Sequence, residues 1–334
     1  MKTFRIFTAL AAMLVAAGSC TKLPADSGTG ELRIDISGEL PSVRAAGDDG
    51  ELMNSLRVWA VSEDGTIYRS AAIDYADGAS TRQDEVVFED MLLGDYTLYA
   101  VANCTVLDAY DQGGTIDAAF TDATLPKVNF DAGGTEPSFD GSGYGQGMPL
   151  SYSGPLHVSP GTNFVSVGLL RVCGQINIVV RNHTDRNLVL ERLELSEDNP
   201  DSGYLFFKDH ASPAGTVYGP FSKLPDDQSP IEPSEEATVI SQYLYETAHN
   251  RQLGLYVKGR LEDPNGTDSD QPFGKDERYD LTYIDSYGNP VPLNDLCRNQ
   301  RLTLAVNVYW TGDEARLGFS VSSWIPDDNE TTFD

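Results

Sequence analysis

An all-β chain of two successive sandwiches is what three features of this sequence predict. Apolar and polar residues alternate with a period of two in many short runs, and Gly, Pro, Tyr and Thr are plentiful while long Ala/Leu/Glu/Lys helical stretches are missing. The third feature is length, since the 334 residues, even without a leader, exceed the roughly 100–200 of one domain.

The leader occupies residues 1–19. Lys2 and Arg5 precede an apolar and small-residue run from Ile6 to Ala17, which ends in Gly18, Ser19 and Cys20. A charged start, an apolar middle and small residues before the cut are the parts of a secretory signal, and the run is shorter than the ~20 residues that span a bilayer. Cys20 directly after those small residues resembles a bacterial lipobox, with Ala17 where Leu is usual. It is the expected lipidation site, and the small, polar segment from Thr21 to Gly30 reads as a flexible tether.

Leu32, Ile34 and Ile36 alternate with Arg33, Asp35 and Ser37, which predicts a half-buried strand. Tether and strand make up residues 20–50 together with an exposed connection that carries Pro41, Arg44, Ala45 and a Gly-Asp-Asp-Gly run. The next strand is predicted over residues 56–61, with a turn at Gly65 and a return over 66–69. Residues 86–88 and 96–102 are expected to pair around Leu93-Gly94-Asp95, giving a meander or Greek-key sandwich over 51–150. From Tyr110 to Gly147 the sequence is Gly-rich and loose, so the domain boundary is placed near residues 148–160. A second sandwich over 151–334 is expected from strands at 163–170, 175–181, 188–195, 236–244, 254–261, 279–284, 301–309 and 318–324.

Several function classes have no footprint in the sequence. The formal net charge is −28 and becomes more negative when Lys2 and Arg5 leave with the leader, a field that repels phosphate backbones, so no nucleic-acid partner is expected. His157, His183, His210 and His249 are scattered without a metal-ligand spacing, and no GxSxG occurs. The acidic stretch from Asp263 to Asp270 lacks the closing Glu of an EF-hand and reads as a solvated turn. With 51 acids, chance carboxylate pairs say nothing about glycoside hydrolysis. No metal, cofactor or enzymatic activity is expected.

Cys104, Cys173 and Cys297 lie in or beside apolar runs and read as free buried thiols, although a disulfide between two of them is open at this point. Trp59, Tyr99, Trp310 and Trp324 have the period of sheet and core positions rather than of a sugar platform.

Four phrases, in order, carry a resemblance. They are Leu56-Arg57-Val58-Trp59-Ala60-Val61 leading to Asp64-Gly65, the run from Leu93-Gly94-Asp95-Tyr96 to Ala102-Asn103, Met148-Pro149-Leu150-Ser151, and Cys297-Arg298-Asn299-Gln300 followed by Val321-Ser322-Ser323-Trp324. Their order and spacing resemble the Bacteroidales fimbrillin families, lipoprotein subunits and anchors of surface fimbriae. The resemblance implies two tandem transthyretin-like β-sandwich domains and a non-enzymatic role in adhesion at the outer membrane. Its partners would be other fimbrial subunits and a host or bacterial surface receptor. It also implies assembly by strand exchange: a cut between Arg44 and Ala45 would free the strand of Leu32, Ile34 and Ile36, and the vacated groove would recruit a strand from another chain. An anchor would instead keep its lipid and its own strand. The sequence ends ten residues after Trp324, without an obvious donor tail. The alternative from a different class is a surface glycan-binding lipoprotein of a polysaccharide-uptake system.

Overall fold

The structure is a computed structural model that describes residues 28–38, 53–75, 81, 83–125, 128–129, 138–139, 148–209, 211–222, 224, 229–246, 251–263, 266, 269–284, 287–294, 296–311 and 314–324. The chain order begins with β1 (Thr29–Gly38), β2 (Ser55–Ser62), β3 (Ile67–Asp74), β4 (Gln83–Leu92) and β5 (Gly94–Ala102). A one-turn helix α1 (Ala118–Thr121) and three two-residue strands follow: β6 (Thr124–Leu125), β7 (Val128–Asn129) and β8 (Ser138–Phe139). Then come β9 (Leu150–Val158), β10 (Gly161–Arg171), β11 (Gly174–His183), β12 (Asn187–Pro200), β13 (Gly203–Tyr204), β14 (Tyr218–Ser222) and β15 (Glu236–Leu244). The last elements are β16 (Gly254–Glu262), β17 (Gln271–Asp280), β18 (Thr282–Ile284), β19 (Pro290–Pro292), β20 (Arg301–Trp310) and β21 (Ala315–Trp324).

The first seven long strands share one sheet in the order β3-β2-β5-β9-β10-β1-β4. β9 and β10 pair only through Leu170 with Ser151 and Arg171 with Leu150, so the sheet bends there into two layers, β3-β2-β5-β9 and β10-β1-β4. Alternation along each strand sends one side inward, and Leu32, Ile34, Val86, Leu56, Val58 and Leu98 belong to the shared core. β2 is buried on both faces, which fits its apolar run from Val58 to Val61: one side meets this core and the other, through Trp59 and Val61, meets residues 104–125.

The second sandwich repeats this plan. Its layers run β14-β12-β16-β17 and β15-β11-β20-β21. β11 lies parallel to β20 and antiparallel to β15, as β1 lies parallel to β10 and antiparallel to β4. The spacing Gly30-x-Leu32-x-Ile34-x-Ile36 recurs as Gly174-x-Ile176-x-Ile178-x-Val180. β21 is the addition: it pairs along the whole of β20, at a side where β10 has only the two-residue contact with β9.

All-β architecture in two sandwiches agrees with the expectation, but β9, β14 and most of β17 lie where no strand was expected, and the details differ in three further places. The boundary expected near 148–160 falls instead between Arg171 and Gly174, because β9 and β10 complete the first sandwich on β5 and β1. β4 and β5 do not pair with each other: β4 takes β1 and β5 takes β2 and β9, so Leu93 carries the chain from one layer to the other. The segment from Tyr110, expected to be loose, is organised through Leu125 and packs at the joint between the sandwiches.

Candidate strand-exchange site

β1 fills a slot between β10 and β4 and is hydrogen-bonded along both edges. Leu32, Ile34 and Ile36 point into the first core and are 0 % exposed. Burying such side chains stabilises by roughly 1.5–3 kcal/mol each, so the slot holds its occupant firmly and loses much of its core when empty. On the outer face Arg33 is paired with Glu31 at 2.6 Å and Glu85 at 3.2 Å, and the hydrogen bond to Glu31 is the main cause that raises its pKa. These ion pairs are solvent-facing and add little. Among the described residues β1 forms no hairpin with β2, the next strand in sequence, and both of its partners come from distant parts of the chain.

The mouth of the slot is built by the turn between β9 and β10. Gly161 has φ +94°, a left-handed conformation that suits glycine. Asn163 holds this turn together: its Oδ1 accepts from the Ser159 amide at 3.0 Å, and its Nδ2 donates to the carbonyls of Ser159 at 2.8 Å and Gly161 at 3.2 Å. The same Nδ2 reaches across to the carbonyl of Glu31 in β1, also at 3.2 Å. No sequence pattern singled out Asn163 or Gly30.

Cys20, Arg44 and Ala45 lie outside the described residues, and so do His210 and His249. The Asp263 to Asp270 turn is described only in part. Arg44 and Ala45 belong by sequence to the connection between β1 and β2.

At the other end of the first sandwich the resembling phrases acquire physical roles. Asn103 adopts φ +57° after β5, donates through Nδ2 to the Met148 carbonyl at 2.8 Å and accepts the Asn54 amide at 2.7 Å, fastening three chain segments where the sheet ends. Arg57 lies buried and is held charged chiefly by donating to Asp108, with Asp74 as a further partner. Arg298 and Glu246 form a buried ion pair at 3.0 Å, and Arg298 also donates to the carbonyls of Leu205 and Tyr204.

The two sandwiches meet in a third apolar cluster. Phe120, at the end of α1 and capped by Asp117, is enclosed by Trp59, Tyr99, Tyr110 and Phe206 at centroid distances of 5.0 to 5.7 Å. β13 pairs with β6, and the Leu205 carbonyl accepts from Ser151 Oγ at 2.6 Å, so backbone as well as side chains cross the joint. Trp59 is in this core as expected, donating its indole N–H to the Tyr110 carbonyl, and Trp310 packs beneath the Arg186 guanidinium. The three cysteines among the described residues are free thiols, with Cys104 and Cys173 buried and Cys297 half-buried. Burial pushes the Cys104 thiol up to about 11 and raises that of Cys173 further.

No protein-family model and no curated protein matches the sequence. Solved structures do match over nearly the whole chain. The fimbrilin FimA of Porphyromonas gingivalis superposes with a TM-score of 0.57 at 13 % identity, covering 90 % of this chain and 99 % of that one. A Parabacteroides distasonis protein provisionally assigned to cell adhesion gives 0.57 at 14 % identity, with 91 % and 99 % covered. The tip fimbrial protein Mfa3 of Porphyromonas gingivalis, truncated at its C-terminus, gives 0.51 at 15 % identity, with 88 % and 99 % covered. The chain therefore has the two-domain β fold of Bacteroidales fimbrillins.

Proposed function

We propose that this chain is a non-enzymatic component of cell-surface fimbriae, a subunit or an anchor, that serves adhesion and joins its neighbours by β-strand exchange at the β1 slot. The observation that carries this reading is the position of β1. Its three core side chains are completely buried between two strands to which it is joined by no hairpin, so a single cut in the connection to β2 makes the strand separable. Emptying the slot leaves unpaired backbone on β4 and β10 over an apolar floor, and such a groove recruits another strand. The fold shared with fimbrial proteins supports the same reading.

In this reading Cys20 carries the lipid that delivers the protein to the outer membrane, and cleavage between Arg44 and Ala45 releases lipid and strand together. An anchor keeps both. The experiment is to purify fimbriae from the producing cells and sequence the amino terminus of this protein within them. A terminus at Ala45 with an oligomer ladder identifies an exchanging shaft subunit, and an acylated Cys20 identifies an anchor. Absence from the fimbriae, together with no cut after Arg44 and no ladder on protease treatment, sinks the proposal.

A further inference from the structure

We infer that the β1 slot selects its occupant at one position, by requiring glycine where Gly30 now sits. The inference rests on the strand-exchange reading and adds to it a rule about the incoming strand.

Gly30 lies opposite Gly161 of β10 and Met91 of β4. A Cβ placed on Gly30 would stand 2.6 Å from the Ser159 carbonyl oxygen, 3.0 Å from Asn163 Nδ2 and 3.1 Å from the Gly161 carbonyl oxygen. Two of these three are backbone atoms. They do not yield easily, because Asn163 ties Ser159 and Gly161 into one turn and Gly161 holds its left-handed φ. Asn163 also donates to the carbonyl of the residue after Gly30, a contact that any extended backbone can supply. The mouth thus accepts a backbone and refuses a side chain, while the slot beyond it takes three alternate apolar residues. The second sandwich obeys the same rule. Gly174, two residues before Ile176 as Gly30 is before Leu32, would bring a Cβ within 2.5 Å of the Cys297 carbonyl oxygen.

The occupant is therefore an extended strand, from another copy or another subunit, with glycine opposite Gly161 and apolar residues at the second, fourth and sixth positions beyond it.

The test uses the full mature chain with a specific-protease site inserted between β1 and β2. After cleavage, a fluorescent peptide of residues 28–38 is exchanged in under mild denaturant, beside its Gly30→Ala, Gly30→Val and Asp35→Ala forms. Thermal unfolding of the uncut chain with Gly30→Ala is measured in parallel. The expected result is that the native and Asp35→Ala peptides enter alike, Gly30→Ala enters at least tenfold more weakly, and Gly30→Val does not enter. Equal uptake of the native and Gly30→Ala peptides overturns the rule while leaving strand exchange standing. If no peptide enters although Gly30→Ala lowers the Tm of the uncut chain, strand exchange itself fails, and selection of an incoming strand falls with it.

Discussion

Phe120 of the first sandwich lies stacked on Phe206 of the second, ring centroids 5.7 Å apart and planes 24° from parallel. Phe120 is 0 % exposed and also meets Trp59, Tyr99 and Tyr110 edge-on, so it lies at the centre of the aromatic packing of the joint, which Tyr99 joins by its own contact with Phe206 at 4.9 Å. Replacing it opens a cavity that the surrounding rings, two of them held in β2 and β5, fill only partly. Phe120→Ala is expected to cost about 3–5 kcal/mol. Urea unfolding followed by tryptophan fluorescence, in which Trp59 contributes beside Trp310 and Trp324, checks this; an unchanged midpoint means that the joint is held elsewhere.

The slot predicts a sharp contrast between the two faces of its layer. Ile34 faces the core and Val87, in β4 beside β1, faces solvent. Ile34→Ala should lose about 2–5 kcal/mol, whereas Val87→Ala should stay within about 0.5 kcal/mol of the parent. Hydrogen exchange at the β10 amides gives a second readout, because loosening β1 exposes its neighbours before the rest of the sandwich opens.

The Arg298 and Glu246 pair is buried on both sides, so removing one partner strands the other charge away from water. Arg298→Met alone is expected to cost about 3–5 kcal/mol, and the double change Arg298→Met with Glu246→Leu distinctly less than the sum of the single changes. A double-mutant cycle from denaturant melts measures the difference. Additive losses would mean that the hydrogen bonds of Arg298 to Leu205 and Tyr204, rather than the ion pair, secure this corner.

Thiol chemistry should separate the three cysteines. A thiol with its pKa raised to about 11 is almost wholly protonated at pH 8, and its thiolate grows only as the pH climbs toward that value. Native protein treated with iodoacetamide at pH 8 should therefore be modified first at half-buried Cys297, with Cys104 and Cys173 reacting only on unfolding. Peptide mass spectrometry reads the order. Early alkylation of Cys173 would show that the end of the first sandwich opens readily.

Strand identity in this protein is largely a local property, and the sequence alone determined it for most of the long strands, though not for β9, β14 or most of β17. The two-residue alternation of Leu32, Ile34 and Ile36 and the apolar run from Val58 to Val61 say which residues must leave water, whatever they pack against. Turns such as Gly65, at φ +84°, are local in the same sense. Partner choice is not local. That β4 leaves β5 for β1, that β9 and β10 belong to the first sandwich, and that Phe120 closes the joint all depend on apolar faces brought together across the chain. A strand's alternation tells it to bury one side but does not name the neighbour along its edge. Only the tertiary structure could place Gly30 against the carbonyl of Ser159, because that contact joins residues far apart in sequence through a turn whose geometry neither encodes.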